Sequence, residues 1–305
     1  MSDAPRSESA QVAAAGLVII DKPAGITSHD VVARCRKIFG TRRIGHAGTL
    51  DPMATGVLIL GVERATKLLG LLSLTTKSYL ATIRLGASSD TDDRDGEIGA
   101  RSNVAHLDRT DVETAIAGFV GEIDQVPARV SAIKVDGRRA HALARAGAEF
   151  ELAPRRVTVT RFEVLDARQV EGWLDLDVAV DCSSGTYIRS LARDLGSVLA
   201  VGGHLTALRR TAVGPFTIEH AATLEAIAEH GRLNHPIDEA VSLAFPRRVI
   251  DDEEAESISQ GRWLEPIGMS GVYAAVDRQG RAIALLEEKG RRAGSVLVIR
   301  PATLR

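Results

Sequence analysis

The sequence predicts an α+β protein, and three observations support this fold class. Segments that alternate apolar and polar residues, as half-buried strands do, occur at residues 77–85 and 173–180. Other segments, such as residues 31–39, have apolar residues three and four positions apart, which is typical of one face of a helix. After residue 246 the pattern changes to short strands, two of them joined by a hairpin turn at residues 277–280. We therefore expect a large mixed domain followed by a small β-rich one.

The elements of the first 85 residues alternate between strand and helix. A short apolar strand at residues 17–20 precedes a turn at residues 21–25. A helix follows, with Ser28 as its expected N-cap and Gly40 after its end, because serine caps helix N-termini and glycine tolerates the left-handed backbone at C-termini. The next expected elements are a buried strand at residues 57–60, a helix at 63–72 and a strand at 77–85 with Tyr79 on its apolar side.

The rest of the chain continues in the same way. The sequence Thr110-Asp111-Val112-Glu113 has the pattern of a capping box and opens a helix that ends near Ala117. A second helix begins at Tyr187 and carries Leu191 and Leu195 on one face. The other expected elements are an acidic loop at residues 88–97 and strands at 157–164, 173–180, 272–276, 282–287 and 296–299.

These elements predict the domain organisation. Residues 1–15 are polar and alanine-rich, lack the basic start and long apolar run of a signal peptide, and are expected to form a disordered tail. Residues 16–245 are expected to form one domain, and residues 246–305 a small β-rich one. Residues 123–152 are basic and resemble an insertion in the large domain, with a short helix at residues 139–146.

The distribution of charge is more informative than the total. The chain has 38 basic and 40 acidic side chains, a net charge of −2. The acids concentrate at residues 90–97 and 251–256, so the basic clusters can form a basic face on a nearly neutral protein. Solvated helix faces are the alternative interpretation of any single cluster. The basic clusters are Arg34, Arg36, Lys37, Arg42 and Arg43; Arg129, Lys134, Arg138, Arg139 and Arg145; and the pairs Arg155-Arg156 and Arg209-Arg210.

The cysteines and the apolar runs indicate the compartment. Cys35 and Cys182 lie far apart, and neither has a cysteine or histidine near it at the spacing of metal ligands. We therefore expect a reducing compartment and no metal site. No apolar run approaches the length that spans a membrane, so a cytoplasmic protein without membrane contact is expected.

The chemistry is expected in the glycine-rich stretch from Gly45 to Leu60. It holds one carboxylate, Asp51, and one histidine, His46. Pro52 fixes its own φ and disfavours the helical region for the residue before it, so the backbone of the loop is tightly specified. A turn in which Asp51 caps its own backbone is the alternative for a shorter motif of this kind.

The stretch closely resembles the catalytic motif of the TruB family, the bacterial tRNA pseudouridine-55 synthases. The family pattern Gly-His-x-Gly-x-Leu-Asp-Pro-x-Ala-x-Gly-Val-Leu is met at every fixed position between Gly45 and Leu58. Four other motifs resemble those of the family and occur in its order: Asp21-Lys22-Pro23-x-Gly-x-Thr27-Ser28, Lys77-Ser78-Tyr79, Ser184-Gly185-Thr186-Tyr187-Ile188-Arg189 and Leu208-Arg209-Arg210.

The resemblance implies a fold and an activity. The fold would be the pseudouridine-synthase core, a mixed and mostly antiparallel sheet with flanking helices, plus a small PUA-like RNA-binding domain at residues 246–305. The activity would be isomerisation of uridine 55 in the tRNA T loop to pseudouridine, in which the N1–C1′ bond breaks and C5 joins C1′. No atom is lost and no redox change occurs, so no cofactor is expected.

The resemblance also implies catalytic roles for three residues. Asp51 would be the carboxylate that attacks C1′ or C6 or assists glycal formation. Arg189 would pair with Asp51, because a nearby cation favours the ionised carboxylate. Tyr79 would stack on the flipped uracil and could also accept the C5 proton.

The RNA contacts implied by the resemblance involve six further residues. His46 would pack against the RNA loop, Tyr187 and Leu208 would line the pocket, and Lys22 would order the motif loop or meet a phosphate. Phosphates would also be met by the pair Arg209-Arg210. The partner would be the T stem-loop of tRNA, clamped by residues 123–152, and a monomer with no obligate protein partner is expected.

Two other functions remain open on the sequence. An RNA-binding or tRNA-folding protein whose catalysis is dispensable would explain the basic segments, but it would not require Asp51, Tyr79 and Arg189 together. A glycoside or nucleoside hydrolase would need a second catalytic carboxylate, and none stands out in the motifs.

Overall fold

The computed structural model describes residues 14–131, 133–135, 138–140, 146, 148 and 150–304. Its strands are β1 (Gly16–Lys22), β2 (Ile44–Ala47), β3 (Thr55–Val62), β4 (Lys77–Leu85), β5 (Gly121–Gln125), β6 (Lys134–Val135), β7 (Arg138–Arg139), β8 (Arg155–Val170), β9 (Trp173–Cys182), β10 (Gly203–Val213), β11 (Phe216–Thr217), β12 (His235–Pro236), β13 (Arg247–Val249), β14 (Val272–Val276), β15 (Ala282–Lys289) and β16 (Arg292–Val298). Its α-helices are α1 (Ser28–Phe39), α2 (Leu69–Ser73), α3 (Arg109–Ala117), α4 (Ile188–Val198), α5 (Leu224–His230), α6 (Ile237–Ala244) and α7 (Asp252–Ser259).

The chain forms two compact units. The first contains Met1–Pro52, Gly56–Ser73 and Gly214–Arg305, and the second contains Met53–Thr55 and Leu74–Val213. Each unit combines helices with largely antiparallel strands, so the α+β class that the sequence predicts is confirmed.

The first unit contains two groups of strands. In one, β1 lies between β12 and β3, and β2 pairs with β3; all these pairings are antiparallel. Helix α1 packs on β2, and α6 packs on β1. Strand β3 is buried along nearly its whole length, which its unbroken apolar run requires.

The second group in the first unit is the C-terminal sheet, in the order β13-β14-β15-β16. Strand β13 runs parallel to β14, and the other neighbours are antiparallel. Helix α7 packs against this sheet over a core of its own that includes Ile258, Tyr273 and Leu286. Arg300 holds Asp238 of α6 with two hydrogen bonds of 2.6 and 2.8 Å, so this sheet is tied to the neighbouring helix.

The second unit is a five-stranded antiparallel sheet in the order β10-β4-β9-β8-β5. Helix α4 packs on β10 and β4, and α3 packs on β8. Strand β4 buries alternate residues, including Tyr79, Ala81, Ile83 and Leu85, because successive side chains of a strand point to opposite faces. This arrangement places Tyr79 on the buried face, as its position in the alternating pattern predicts.

Most predicted elements are present, but two helix starts were wrong. The N-cap of α1 is Thr27 and not Ser28, which is the first helical residue. The capping box of α3 is formed by Asp108 and Asp111, two positions earlier than the Thr110–Glu113 pattern. In both cases another residue that commonly caps helices, one or two positions earlier, takes the N-cap position.

Two other elements differ in detail. The segment predicted as a helix at residues 63–72 is a 3-10 helix over Glu63–Leu68 followed by α2. Tyr187 is the N-cap of α4, whose first helical residue is Ile188. The helix predicted at residues 139–146 falls mostly outside the described residues. Gly40 follows α1 in the left-handed conformation with φ 60°, as predicted.

Candidate active site

The Asp51 loop joins β2 to β3 and is fixed by a buried serine. Asp51 is half-buried, and its neighbour Leu50 is buried. The hydroxyl of Ser28 accepts a hydrogen bond from Leu50 N at 2.9 Å and donates one to Leu50 O at 3.1 Å. Because Ser28 begins α1, the helix sets the position of the residue directly before Asp51.

A buried lysine fixes the other side of the loop. Lys22 ends β1 and is 0% exposed. Its ammonium donates to the carbonyls of Pro23 at 2.8 Å, Ile26 at 2.7 Å and Pro52 at 3.3 Å, and Pro52 O also accepts from Gly25 N at 2.8 Å. This geometry supports the first of the two predicted roles of Lys22, the ordering of the motif loop, over contact with a phosphate.

Replacing Lys22 with Met is therefore expected to lower both stability and the rate of chemistry. The variant keeps the apolar stem but removes the buried ammonium that donates to Pro23 O and Ile26 O, which costs roughly 1–3 kcal/mol of unfolding free energy. Urea unfolding measures this loss, and the control is Lys289→Met, at an exposed lysine that pairs with Glu287. If Lys22→Met is as stable as wild type but binds RNA much more weakly, the phosphate role replaces the ordering role.

His46 lies on β2 beside an exposed histidine. The rings of His46 and His29 meet edge to face, with centroids 5.4 Å apart and planes at 83°. Five basic side chains on α1 and the turn after it are exposed, which fits both a basic face and a solvated helix face. They are Arg34, Arg36, Lys37, Arg42 and Arg43.

In the second unit, adjacent strands bring Tyr79, Leu208 and Arg210 together. Tyr79 of β4 is the register partner of Arg210 of β10, and Ala81 is the partner of Leu208. Tyr79 is 7%, Leu208 8% and Arg210 1% exposed. Arg209 points to the opposite face and donates to Thr55 Oγ1 at 3.3 Å. Arg209 and Arg210 therefore lie on opposite faces of β10. The prediction that both contact phosphates becomes two separate predictions, one for each arginine.

The structure adds Lys77 to this cluster. Lys77 belongs to the motif with Tyr79, but no role was predicted for it. It is buried on the same face of β4, and its ammonium donates to Thr75 O at 2.9 Å. Burial, and next the charge of Arg210, lower the pKa of Lys77 to about 8. The alternation of residues 77–85 could have predicted that Lys77 lies on the same face of β4 as Tyr79.

Arg189 lies in the first turn of α4 and is 4% exposed. Its guanidinium donates to Thr91 O at 2.9 Å and to Val130 O at 2.8 Å, and its Nε lies 3.7 Å from Asp93 Oδ2. Asp51 belongs to the first unit and Arg189 to the second. Their pairing stays a prediction.

Tyr187 precedes α4 and is half-buried. The side-chain amide of Gln125 accepts a hydrogen bond from Tyr187 N at 2.8 Å and donates one to Tyr187 O at 3.0 Å. Gln125 is 2% exposed and ends β5. The sequence did not single out Gln125, because nothing local to residue 125 indicates a partner 62 positions away.

Metal-binding clusters and membrane-spanning helices are both absent among the residues that the structure describes. Among the residues that the structure describes, no group of three or more His, Cys, Asp or Glu could hold a metal ion. No helix in the described part of the chain is both long and apolar enough to cross a membrane. Cys35 and Cys182 are buried and free, and burial raises the pKa of each thiol to about 11.

Comparison with known proteins identifies the family. The model of the TruB family pseudouridylate synthase N-terminal domain matches residues 36–188. The tRNA pseudouridine synthase B of Rhodococcus jostii is 66% identical over 293 residues, which cover 95% of this chain and 96% of that protein. The chain belongs to the TruB family. Two C-terminal TruB models match residues 189–254 and 245–300.

Other TruB relatives and solved structures agree with this assignment. The tRNA pseudouridine synthase B of Nocardia farcinica is 65% identical over 289 residues, covering 95% of this chain and 94% of that one. A Cbf5-Nop10-Gar1 complex contains a chain with a TM-score of 0.72 and 27% identity, over 97% of this TruB chain and 88% of that chain. An H/ACA RNP bound to a substrate RNA containing 2′-deoxyuridine gives a TM-score of 0.71 and 26% identity, over 98% and 89%. The pseudouridine-synthase fold that the sequence predicted is thus confirmed.

Proposed function

We propose that this TruB chain isomerises uridine 55 in the T loop of tRNA to pseudouridine and that Asp51 is its catalytic carboxylate. Isomerisation of uridine in tRNA follows from membership of the family, and the chain is an isomerase that acts on tRNA. The observation that carries the role of Asp51 is the loop around it. Ser28 and Lys22, both buried, fix the backbone on either side of this half-buried carboxylate.

The chemistry needs a fixed carboxylate and no external reagent. The N1–C1′ bond breaks, the uracil turns while it stays bound, C5 bonds to C1′, and the C5 proton leaves as N1 gains one. Asp51 attacks C1′ or C6, or assists formation of a glycal. A rigidly held carboxylate serves each route, since preorganisation removes the cost of orienting the group during the reaction.

The pocket for the flipped base would be built on β4, β10 and the start of α4. Tyr79 would stack on the extruded uracil and could accept the C5 proton, while Tyr187 and Leu208 would line the pocket. Tyr79 and Leu208 are almost fully buried on neighbouring strands, which supports a dry, shaped pocket. Arg189 would pair with Asp51 and favour its ionised form.

The RNA would be held by the exposed basic side chains and by residues 123–152. His46 would pack against the T loop, and Arg209 would meet a phosphate. Arg210, which is 1% exposed, would meet one only where RNA binding uncovers it. The segment 123–152 would clamp the stem-loop. Arg129 in this segment is exposed and lies 5.4 Å from the ring centre of Phe150, which supports a basic and aromatic surface for RNA. We further propose that the protein acts as a cytoplasmic monomer.

We also propose the domain boundaries. Residues 16–245 would form the catalytic domain, residues 1–15 a tail, and residues 246–305 a PUA-like RNA-binding domain. The separate four-stranded sheet β13–β16 with its own apolar core supports the last of these. Trp263 is 46% exposed under the guanidinium of Arg292, 5.0 Å from the ring centre, which is a suitable platform for a base.

The function is tested with an unmodified tRNA T-arm transcript that carries tritium at uracil C5. The wild-type protein, without added metal or cofactor, is expected to release tritium into water, because C5 exchanges its hydrogen for C1′. Mapping should place the product at uridine 55. Binding without tritium release would favour the RNA-binding function, and release of free uracil would reveal a hydrolase instead.

A further inference from the structure

The start of the segment 123–152 is joined to the active-site helix α4 by a seam of hydrogen bonds. Gln125 holds both backbone groups of Tyr187. Val130 O accepts from Arg189 at 2.8 Å, and Val126 O accepts from Arg193 at 2.8 Å. Residues 125–130 thus contact three positions of the segment 187–193: the backbone of the N-cap Tyr187 and the side chains of Arg189 and Arg193, which lie one turn apart on the same helix face.

Arg193 repeats the contacts of Arg189 one turn further along the helix. Arg189 binds the carbonyls of Thr91 and Val130, while Arg193 binds the carboxylate of Asp92 at 3.0 Å and the carbonyl of Val126. Both arginines therefore bridge the same two segments, the acidic loop and the start of residues 123–152. A third hydrogen bond, from Arg193 Nε to Asp194 at 2.9 Å, uses the remaining edge of the guanidinium.

Asp92, which accepts the hydrogen bond from Arg193, is buried and has a fixed backbone. It is 8% exposed, its backbone has φ 62°, and its carbonyl accepts from Leu205 N of β10 at 3.0 Å. Burial raises the pKa of Asp92, and Arg193 is the largest of the charges that oppose the shift. A left-handed backbone is unfavourable for a residue with a side chain, so the surrounding contacts must hold Asp92 in this conformation.

We propose that Arg193 and Gln125 are positioning residues that hold Arg189 and Tyr187 in place against residues 125–130. This inference rests on the proposed function. Arg189 takes its direction from two backbone carbonyls, and a carbonyl can direct a guanidinium only while its own segment stays in place. Arg193 and Gln125 fix those segments to α4.

The test compares RNA affinity with the rate of chemistry on bound RNA. In Arg193→Gln and in Gln125→Glu, the single-turnover rate of tritium release is expected to fall about 10- to 100-fold, since a displacement of about 1 Å at a reacting site has effects of that size. The Kd for the T-arm transcript should stay within about twofold. Gln125→Glu keeps the acceptor for Tyr187 N but places a carboxylate against Tyr187 O.

The matched control is Arg109→Gln. Arg109 is also a helical arginine of the second unit that donates to one carboxylate, Glu113, and one carbonyl, Val164 O, but it does not touch the seam. Its rate should equal that of wild type. Arg193→Lys, which keeps the charge for Asp92, should recover part of the lost rate.

The outcomes separate this inference from the function on which it rests. A wild-type protein that releases no tritium refutes the proposed function. If wild type is active and both seam variants keep its rate, the positioning role is wrong. Loss of affinity with an unchanged rate on bound RNA also overturns it, because the seam would then serve binding alone. Should Arg193→Gln fail to fold, Gln125→Glu decides by the same comparison.

Discussion

Asp51→Asn is expected to abolish pseudouridine formation, lowering the single-turnover rate by roughly 10⁴-fold or more, which is the size of effect seen when a covalent or charge-stabilising group is removed from an enzyme. The substitution keeps the size and shape of the side chain and removes only its charge and nucleophilicity. The loop should not move, because its neighbours are held by Ser28 and Lys22 through backbone atoms that the substitution leaves intact.

The measurement is tritium release from the T-arm transcript, with the Kd for the same RNA measured on the same preparations. The control is Asp166→Asn, an exposed carboxylate of β8 whose partner is Arg168. Asp166→Asn should behave as wild type. An Asp51→Asn protein that keeps more than about a tenth of the wild-type rate would show that another group carries the chemistry.

The strands were predictable because their signal is local. Residues 77–85 alternate along the sequence, and β4 has the bounds that this alternation gives. The same signal placed Tyr79 on the buried face. The helix caps were less predictable, since Thr27 and Ser28 are both good capping residues and the choice depends on a distant partner. Ser28 is engaged by Leu50, 22 residues along the chain.

The site was predictable only as far as motifs reach. Asp51, Tyr79 and Arg189 stand in motifs that resemble those of the family, so they could be predicted as site residues without a structure. The residues that hold these three side chains in place could not be predicted from the sequence. Gln125 lies in a segment with a basic composition. Its role depends on hydrogen bonds to the backbone of Tyr187, which only the fold brings beside it. Side chains that act on distant backbone groups leave no periodic or compositional trace.

Arg189→Ala is expected to have the second largest effect, a loss of roughly 10²- to 10³-fold in the rate on bound RNA, because a group that stabilises reacting charge is worth about that much. The structure adds a cost in stability. Arg189 is buried, and its removal leaves Thr91 O, Val130 O and the carboxylate of Asp93 without this partner. Losing one partner of a buried charged contact costs roughly 3–5 kcal/mol.

Arg189→Lys separates the two effects. Lysine keeps the positive charge beside Asp93 but cannot bind two carbonyls with a planar fork. The variant should therefore unfold in urea closer to wild type than Arg189→Ala does, while its tritium-release rate stays at least about 100-fold below that of wild type. If the lysine variant is both stable and fully active, only charge is required at this position. If folded Arg189→Ala turns over at nearly the wild-type rate, Arg189 has no part in the chemistry and its contacts serve the fold alone.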